Sequence, residues 1–148
     1  MTADNRLLLD AQLCFALYAA SNAMTRLYRD RLEPLGLTYP QYLVLLVLWE
    51  HDDLTVSQLG ERLYLDSGTL TPLLKRMEAA GHISRRRDPA DERQVRIGLT
   101  PAGQALKASV AEMHAGLACL LPLEPDHLAR LRTELRDFAA SLNDRTAE

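Results

Sequence analysis

The stretch TVSQLGERLYLDSGTLTPLLKRMEAAG, residues 55–81, decides the fold. Thr55-Val-Ser-Gln58 has the form of a capping box, in which a Thr hydroxyl accepts from a first-turn N–H and Gln reaches back. It opens a short helix with Leu59 and Leu63 turned inward. The break Tyr64-Leu-Asp-Ser67 leads into a second helix, with Leu70, Leu73, Leu74 and Met77 on one face and a stop at Gly81. Two short helices joined by a tight turn read as a helix-turn-helix. Pro72 removes an N–H unless it falls in a first turn, so the second helix is expected to start near Ser67 to Thr69, or to bend at the proline.

Downstream, Ile83-Ser-Arg-Arg-Arg87 and Arg93-Gln-Val-Arg-Ile-Gly-Leu99 flank the turn residues Asp88-Pro-Ala-Asp-Glu92. The second run alternates Val95, Ile97 and Leu99 with polar or small residues, which predicts a half-buried strand and a β-hairpin at the position of a wing. Thr100-Pro101 caps a helix to about Leu117, and Glu124-Pro-Asp126 starts a last amphipathic helix through Leu128, Leu131, Leu135, Phe138 and Leu142. Upstream, Thr38-Tyr-Pro-Gln41 is a further capping box, and the helix from Tyr42 to Glu50 is apolar all round, as expected at the centre of an all-α domain. The first segment, Arg6 to Leu32, has helical spacing and stops at Pro34-Leu-Gly36. At 1.5 Å per residue it would reach roughly 40 Å, more than a lone fold of this size needs. A partner subunit is the natural use for the excess.

The 148 residues are 47% hydrophobic and 25% charged, the profile of one compact domain, with no low-complexity tract or repeat. Met1-Thr-Ala-Asp-Asn-Arg6 does not read as a leader, and no 18-residue apolar run occurs, so a cytoplasmic protein without membrane contact is expected. The formal charge of -3 argues, taken alone, against nucleic acid. The distribution reverses that. Residues 54–99 hold eight Lys/Arg against six Asp/Glu, a net +2, which leaves nine against fourteen, or -5, for the rest. Phosphate binding needs a local patch rather than a positive total.

On the second helix of the pair, the face opposite the leucines carries Gly68, Pro72, Lys75 and Arg76, flanked by Thr69 and Thr71 and preceded by Ser67. Small and hydroxyl residues let the backbone approach base edges, and cations beyond them can meet phosphate or guanine. The plainer alternative is a solvated face. The hairpin adds Arg85, Arg86, Arg87, Arg93 and Arg96, and Asp91 stands two residues from Arg93 at its tip. A carboxylate that fixes a guanidinium preorganises it for a narrow minor groove, whereas a merely solvated pair would contribute little.

Together, the helix-turn-helix, Asp91-x-Arg93 and Leu99-Thr100-x-x-Gly103 resemble the multiple-antibiotic-resistance regulator (MarR) family of winged-helix dimeric repressors. Leu13-Cys-Phe-Ala-Leu-Tyr18, Leu37-Thr-Tyr-Pro-Gln-Tyr42 and Gly60 through Lys75 resemble its organic hydroperoxide resistance branch, over about residues 7 to 104. The resemblance implies one MarR-type domain over 1–148. Its fold would be all-α with a small β-hairpin wing, a winged helix-turn-helix at 54–99 with the segments 6–36 and 100–148 forming a homodimer interface. It also implies a double-stranded DNA operator with an inverted repeat, organic hydroperoxides as effectors, no cofactor and no catalytic turnover. Cys14 takes the place of a sensing thiol, Tyr28 and Tyr39 of tyrosines that hydrogen-bond it, and Tyr18 lines the same site. Cys119 resembles the resolving thiol of two-cysteine members, whose sulfenate closes an intersubunit disulfide.

Helix geometry bears on that site independently. Cys14 and Tyr18 lie one turn apart, but Tyr28 is fourteen residues on, roughly 21 Å along the axis. It cannot touch its own Cys14, so a meeting must run between antiparallel copies. A peroxide sensor needs a thiolate, and a thiol with pKa near 8.5 is only slightly ionised at neutral pH, so phenol donors would favour the anion. Leu13, Phe15 and Leu17 would favour alkyl or lipid hydroperoxides. Either cysteine can instead be a packed hydrophobe. Two alternative functions stay open: a MarR-type repressor controlled by a small phenolic ligand, and a thiol peroxidase. The four histidines show no metal-ligand spacing and no Gly-rich phosphate loop occurs.

Overall fold

The computed structural model describes residues 3–146; Met1 and Thr2, part of the opening segment read above, lie outside them. Six α-helices are described: α1 Leu13–Leu32, α2 Tyr39–Glu50, α3 Val56–Leu63, α4 Ser67–Ala79, α5 Pro101–Ala118 and α6 Pro125–Thr146. Three strands, β1 Leu54–Thr55, β2 Ile83–Arg87 and β3 Val95–Leu99, form an antiparallel sheet in the order β1-β3-β2. The all-α winged fold expected from the pattern is the one observed. The chain falls into two compact units, with the division between Ala115 and Gly116, inside α5.

Two capping boxes decide where α2 and α3 begin. The Thr38 hydroxyl accepts from Gln41 N at 3.4 Å while Gln41 Oε1 accepts from Thr38 N at 3.1 Å, and Thr55 and Gln58 repeat the exchange at 3.2 and 2.9 Å. Two of the orphan N–H groups at each helix start are thereby satisfied. The first box starts α2 at Tyr39, ahead of the expected Tyr42, with Pro40 in a first turn where no N–H is missed. Val44, Leu45, Val47 and Leu48 of α2 are buried and pack with Leu32, Leu59, Leu70, Leu74 and Met77 in the core. At about 25 cal/mol per Å², burying each such side chain contributes about 1.5–3 kcal/mol.

One expectation is corrected and two are refined. The segment from Arg6 to Leu32 is not one helix: residues 3–7 and 9–11 form 3-10 turns, and Gln12 is extended before α1 begins. Gln12 Nε2 donates to the carbonyls of Arg6 at 2.7 Å and Leu8 at 2.9 Å, which ties the turns back on themselves. The twenty residues of α1 reach about 30 Å, not 40 Å. Second, Leu54–Thr55, which reads as the approach to a capping box, is also a short strand pairing Leu54 with Ile97 and Thr55 with Arg96. Third, α4 starts at Ser67 as expected, yet Pro72 lies inside it. Its ring nitrogen cannot donate to the Gly68 carbonyl four residues back. The Asp66 N-cap, whose Oδ1 accepts from Thr69 N at 2.7 Å, secures the start of the helix instead.

Candidate nucleic-acid interface and redox site

Asp66 puts Ser67, Gly68 and Thr69 in the exposed first turn of α4, while Leu70, Leu73, Leu74 and Met77 bury the opposite face. Thr71 is half-buried; Lys75 and Arg76 are exposed about one turn further on. The Asp66 carboxyl is held below its ordinary value, first by the Thr69 backbone N–H. Gly60 fixes the turn before α4, since a Cβ there would stand 2.5 Å from the Leu65 carbonyl oxygen. Tyr64 closes α3 with a left-handed backbone, φ 55°. The helix pair is therefore set by close backbone contact rather than by side-chain packing alone.

The hairpin pairs Ile83 with Leu99, Arg85 with Ile97 and Arg87 with Val95. This register sorts the arginines. Arg85 shares a face with buried Ile83; its side chain is 21% exposed, its Nη1 lies 3.8 Å from Glu78 Oε1, and its backbone N donates to Glu78 Oε2 at 3.1 Å. Arg86 Nη2 meets Asp53 Oδ1 at 2.6 Å, and Arg87 Nη1 donates to the Glu92 carbonyl at 2.8 Å. Arg93 Nε meets Asp91 Oδ1 at 3.2 Å, as the tip spacing predicted, and its side chain is 91% exposed. The tip thus holds a fixed guanidinium clear of the sheet. Arg96, in the basic count but given no role above, links Asp53 at 3.2 Å and Asp88 at 3.0 Å. The Asp53 carboxyl is lowered chiefly by the Arg96 hydrogen bond, and that of Asp88 chiefly by the Ala90 N–H.

Cys14 is the second residue of α1, exposed, beside Leu13 and one turn from Tyr18, which is 66% exposed. It stands in the first turn of α1, at the positive end of the helix dipole. Tyr28 lies near the far end of the same helix and packs its ring 5.1 Å from Tyr39 and 5.5 Å from Tyr42. The fold so unites Tyr28 with Tyr39 and keeps Cys14 and Tyr18 away from them. Tyr42, buried and only 5.8 Å from Tyr39, completes a cluster whose third member went unassigned in the sequence. Its position one turn after Tyr39 on α2 was the available signal. Burial, and then the Tyr28 charge, raises the phenols of both Tyr39 and Tyr42 above the ordinary value, so both remain hydrogen-bond donors at neutral pH. Tyr39 also lines a cleft of about 500 Å³ with Thr25, Arg29 and Glu33. Cys119, exposed, lies just after α5 in the unit that begins at Gly116.

The described residues hold no group of three His, Cys, Asp or Glu side chains placed for a metal, and no described helix is long and apolar enough to cross a membrane. The MarR family profile matches residues 37–95. The HTH-type transcriptional regulator TtmR of Methylorubrum extorquens (strain PA1) is 61% identical over 140 residues, 90% of this chain and 72% of the relative. The organic hydroperoxide resistance transcriptional regulator of Bacillus subtilis (strain 168) is 47% identical over 93% of each chain. Among solved structures, reduced AbfR bound to DNA superposes with a TM-score of 0.83 at 36% identity, over 97% of this chain and 98% of that one.

Proposed function

The chain belongs to the MarR family of transcriptional regulators, and from that premise we propose that it is a DNA-binding repressor that senses organic hydroperoxides through Cys14 and then releases its operator. The observation that carries the reading is the separation of Cys14 from the Tyr28–Tyr39–Tyr42 cluster along a single helix. At 1.5 Å per residue Cys14 and Tyr28 are roughly 21 Å apart on α1, so the phenols of that cluster reach the sulfur only from a second copy. The exposed apolar surface agrees. Of the thirteen large hydrophobic side chains exposed among the described residues, all but Tyr64 belong to the segments 7–24 and 120–142, the ends assigned to a homodimer interface. A surface of this kind marks a partner site.

In the reduced dimer, Ser67, Thr69 and Thr71 of α4 face the major groove of an inverted repeat. Lys75, Arg76 and the hairpin arginine Arg87 supply positive charge towards phosphate, while Arg86 is held by Asp53. Arg93, oriented by Asp91, enters the minor groove. Arg85 contributes from its half-buried pair with Glu78, as part of the field rather than as a contact.

When an organic hydroperoxide arrives, the Cys14 thiolate attacks its terminal oxygen. The O–O bond breaks, sulfur is oxidised to the sulfenic acid, and the alkoxide leaves as the alcohol after taking a proton. The Tyr28 and Tyr39 hydroxyls stabilise the thiolate, and Tyr18 with Leu13 and Phe15 gives the organic part an apolar seat. The Cys119 thiol of the partner then displaces hydroxide from the sulfenate, which leaves as water, and an intersubunit disulfide forms. The two winged units move out of groove spacing.

Peroxide titration of the DNA-bound protein, with mass mapping of both cysteines, tests the reading. Wild type should release DNA on cumene hydroperoxide, Cys14→Ser should bind DNA and ignore the peroxide, and Cys119→Ser should form the sulfenate without a disulfide dimer. Release of the Cys14→Ser protein by peroxide would refute it, and release by a phenolic ligand alone would favour the ligand-controlled alternative.

A further inference from the structure

We propose that Asp53 is a specificity-determining residue of the DNA-binding face, occupying Arg86 and so withholding that guanidinium from phosphate. The inference rests on the reading that the winged unit binds DNA. It starts from the ladder, where Arg86 of β2 stands directly opposite Arg96 of β3. Like charges placed so are destabilising unless an anion lies between them. On the other side of β3, Thr55 of β1 pairs with the same Arg96, so the chain just ahead of β1 arrives beside both arginines.

Asp53 is the residue that arrives, with a left-handed backbone, φ 59°, that aspartate and asparagine tolerate better than most side chains. Its Oδ1 accepts from Arg86 Nη2 at 2.6 Å and from Arg96 Nε at 3.2 Å, and its carbonyl accepts from Arg96 Nη2 at 2.5 Å. Arg96 Nη1 continues to Asp88 Oδ2 at 3.0 Å. Two guanidiniums and two carboxylates thus close a neutral cluster at the base of the wing. By contrast, no ion pair involves Lys75 or Arg76 among the described residues, and Arg87 meets a carbonyl rather than a carboxylate.

The consequence follows from how cations bind duplex DNA. Each phosphate neutralised adds affinity for any sequence and steepens the salt dependence by about 0.9 in log–log slope. An uncompensated Arg86 would strengthen binding everywhere without reading a base, which lowers the ratio of specific to non-specific affinity. Asp53 removes that contribution.

The test measures dissociation constants over a salt series for two duplexes of equal length, one selected from a random pool for tight wild-type binding and one of random sequence. Asp53→Asn keeps a side chain suited to the left-handed backbone and an oxygen for Arg96, so the change is one of charge. It should steepen the salt slope by about 0.9 and tighten the random duplex more than the selected one. Arg86→Gln alone should leave the slope unchanged, and in the double variant the steepening should vanish. The proposal is overturned if Arg86→Gln alone flattens the slope by that amount, if Asp53→Asn changes nothing, or if its steepening survives in the double variant. Should Asp53→Asn fold poorly, Asp53→Gly, at home with the same φ, must give the same result. A wild type with no salt-dependent affinity for either duplex would remove the DNA-binding reading itself, and the inference with it.

Discussion

Replacing Gly103 by alanine puts one methyl group against the backbone that seats the wing. Gly103 is the third residue of α5, and a Cβ there would lie 2.0 Å from the His82 carbonyl oxygen, 3.0 Å from its carbon and 3.3 Å from Leu99 Cδ2. Ordinary C···O contact is about 3.3 Å or more, so the His82 backbone must retreat by more than about 1 Å. That carbonyl accepts from Thr100 N at 3.2 Å, and the Gly103 carbonyl accepts from Trp49 Nε1 at 3.2 Å. Against the strain stands the better helix propensity of alanine, worth about 1 kcal/mol at most. Overpacking costs about 1–3 kcal/mol, and each hydrogen bond weakened adds about 1 kcal/mol. Destabilisation wins by roughly 2–4 kcal/mol, and at about 2–4 °C per kcal/mol for a chain of this size that is a fall in Tm of about 4–16 °C. Circular dichroism melts of wild type and Gly103→Ala measure it. Because Ile83 of the wing follows His82 directly, affinity for DNA should also fall at temperatures where the variant is fully folded. A Tm within about 2 °C of wild type, on the same scale of degrees per kcal/mol, would show that the backbone yields without cost and would refute the reasoning.

Other expectations separate binding from folding. Arg93→Ala should leave the Tm unchanged, because the side chain is 91% exposed, yet weaken DNA binding about tenfold or more; a matching loss of stability would show a structural role. The carboxyls of Asp53, Asp66 and Asp88 are held below the usual 3.8 in the folded chain, so their stabilisation is complete above that value and is lost as the pH falls through the depressed folded values. Melts below about pH 4 should therefore be steeper in pH for wild type than for Asp66→Asn, and parallel curves would contradict the assignment. Tyr28→Phe should slow alkylation of Cys14 in the reduced protein without altering DNA affinity; an unchanged rate would take Tyr28 out of the thiol site.

The elements that could be read from the sequence are those with local physical signals. The two capping boxes, the leucine face of α4 and the alternation of β3 each declare themselves within a few residues, and each is found where it was expected. The N-terminal turns were not legible, because apolar spacing continues through Leu9 and Leu13 while the break is made by Gln12 bonding to Arg6 and Leu8. β1 is two residues long and is defined only by its partner strand. The pairing at the wing tip could be read because Asp91 and Arg93 are two residues apart, whereas the Asp53 contacts join residues 33 and 43 positions apart that no spacing rule connects. Counting basic residues overstates the charge available on the proposed binding face, since Arg85, Arg86 and Arg96 each face a carboxylate.

The helix α2 has a mechanical meaning that its composition does not reveal. Tyr39 and Tyr42 stand at its beginning, and Asp52 and Asp53 follow its end, with Asp52 Oδ1 accepting from Leu99 N at 2.9 Å and Asp53 holding Arg86 and Arg96. Between them run twelve residues, about 18 Å of helix, with apolar side chains packed on nearly every side. Such a rod has little room to bend, slide or rotate inside a close-packed interior. Its build is that of a strut rather than a tether: the tyrosines and the mount of the wing stand at the two ends of one close-packed helix.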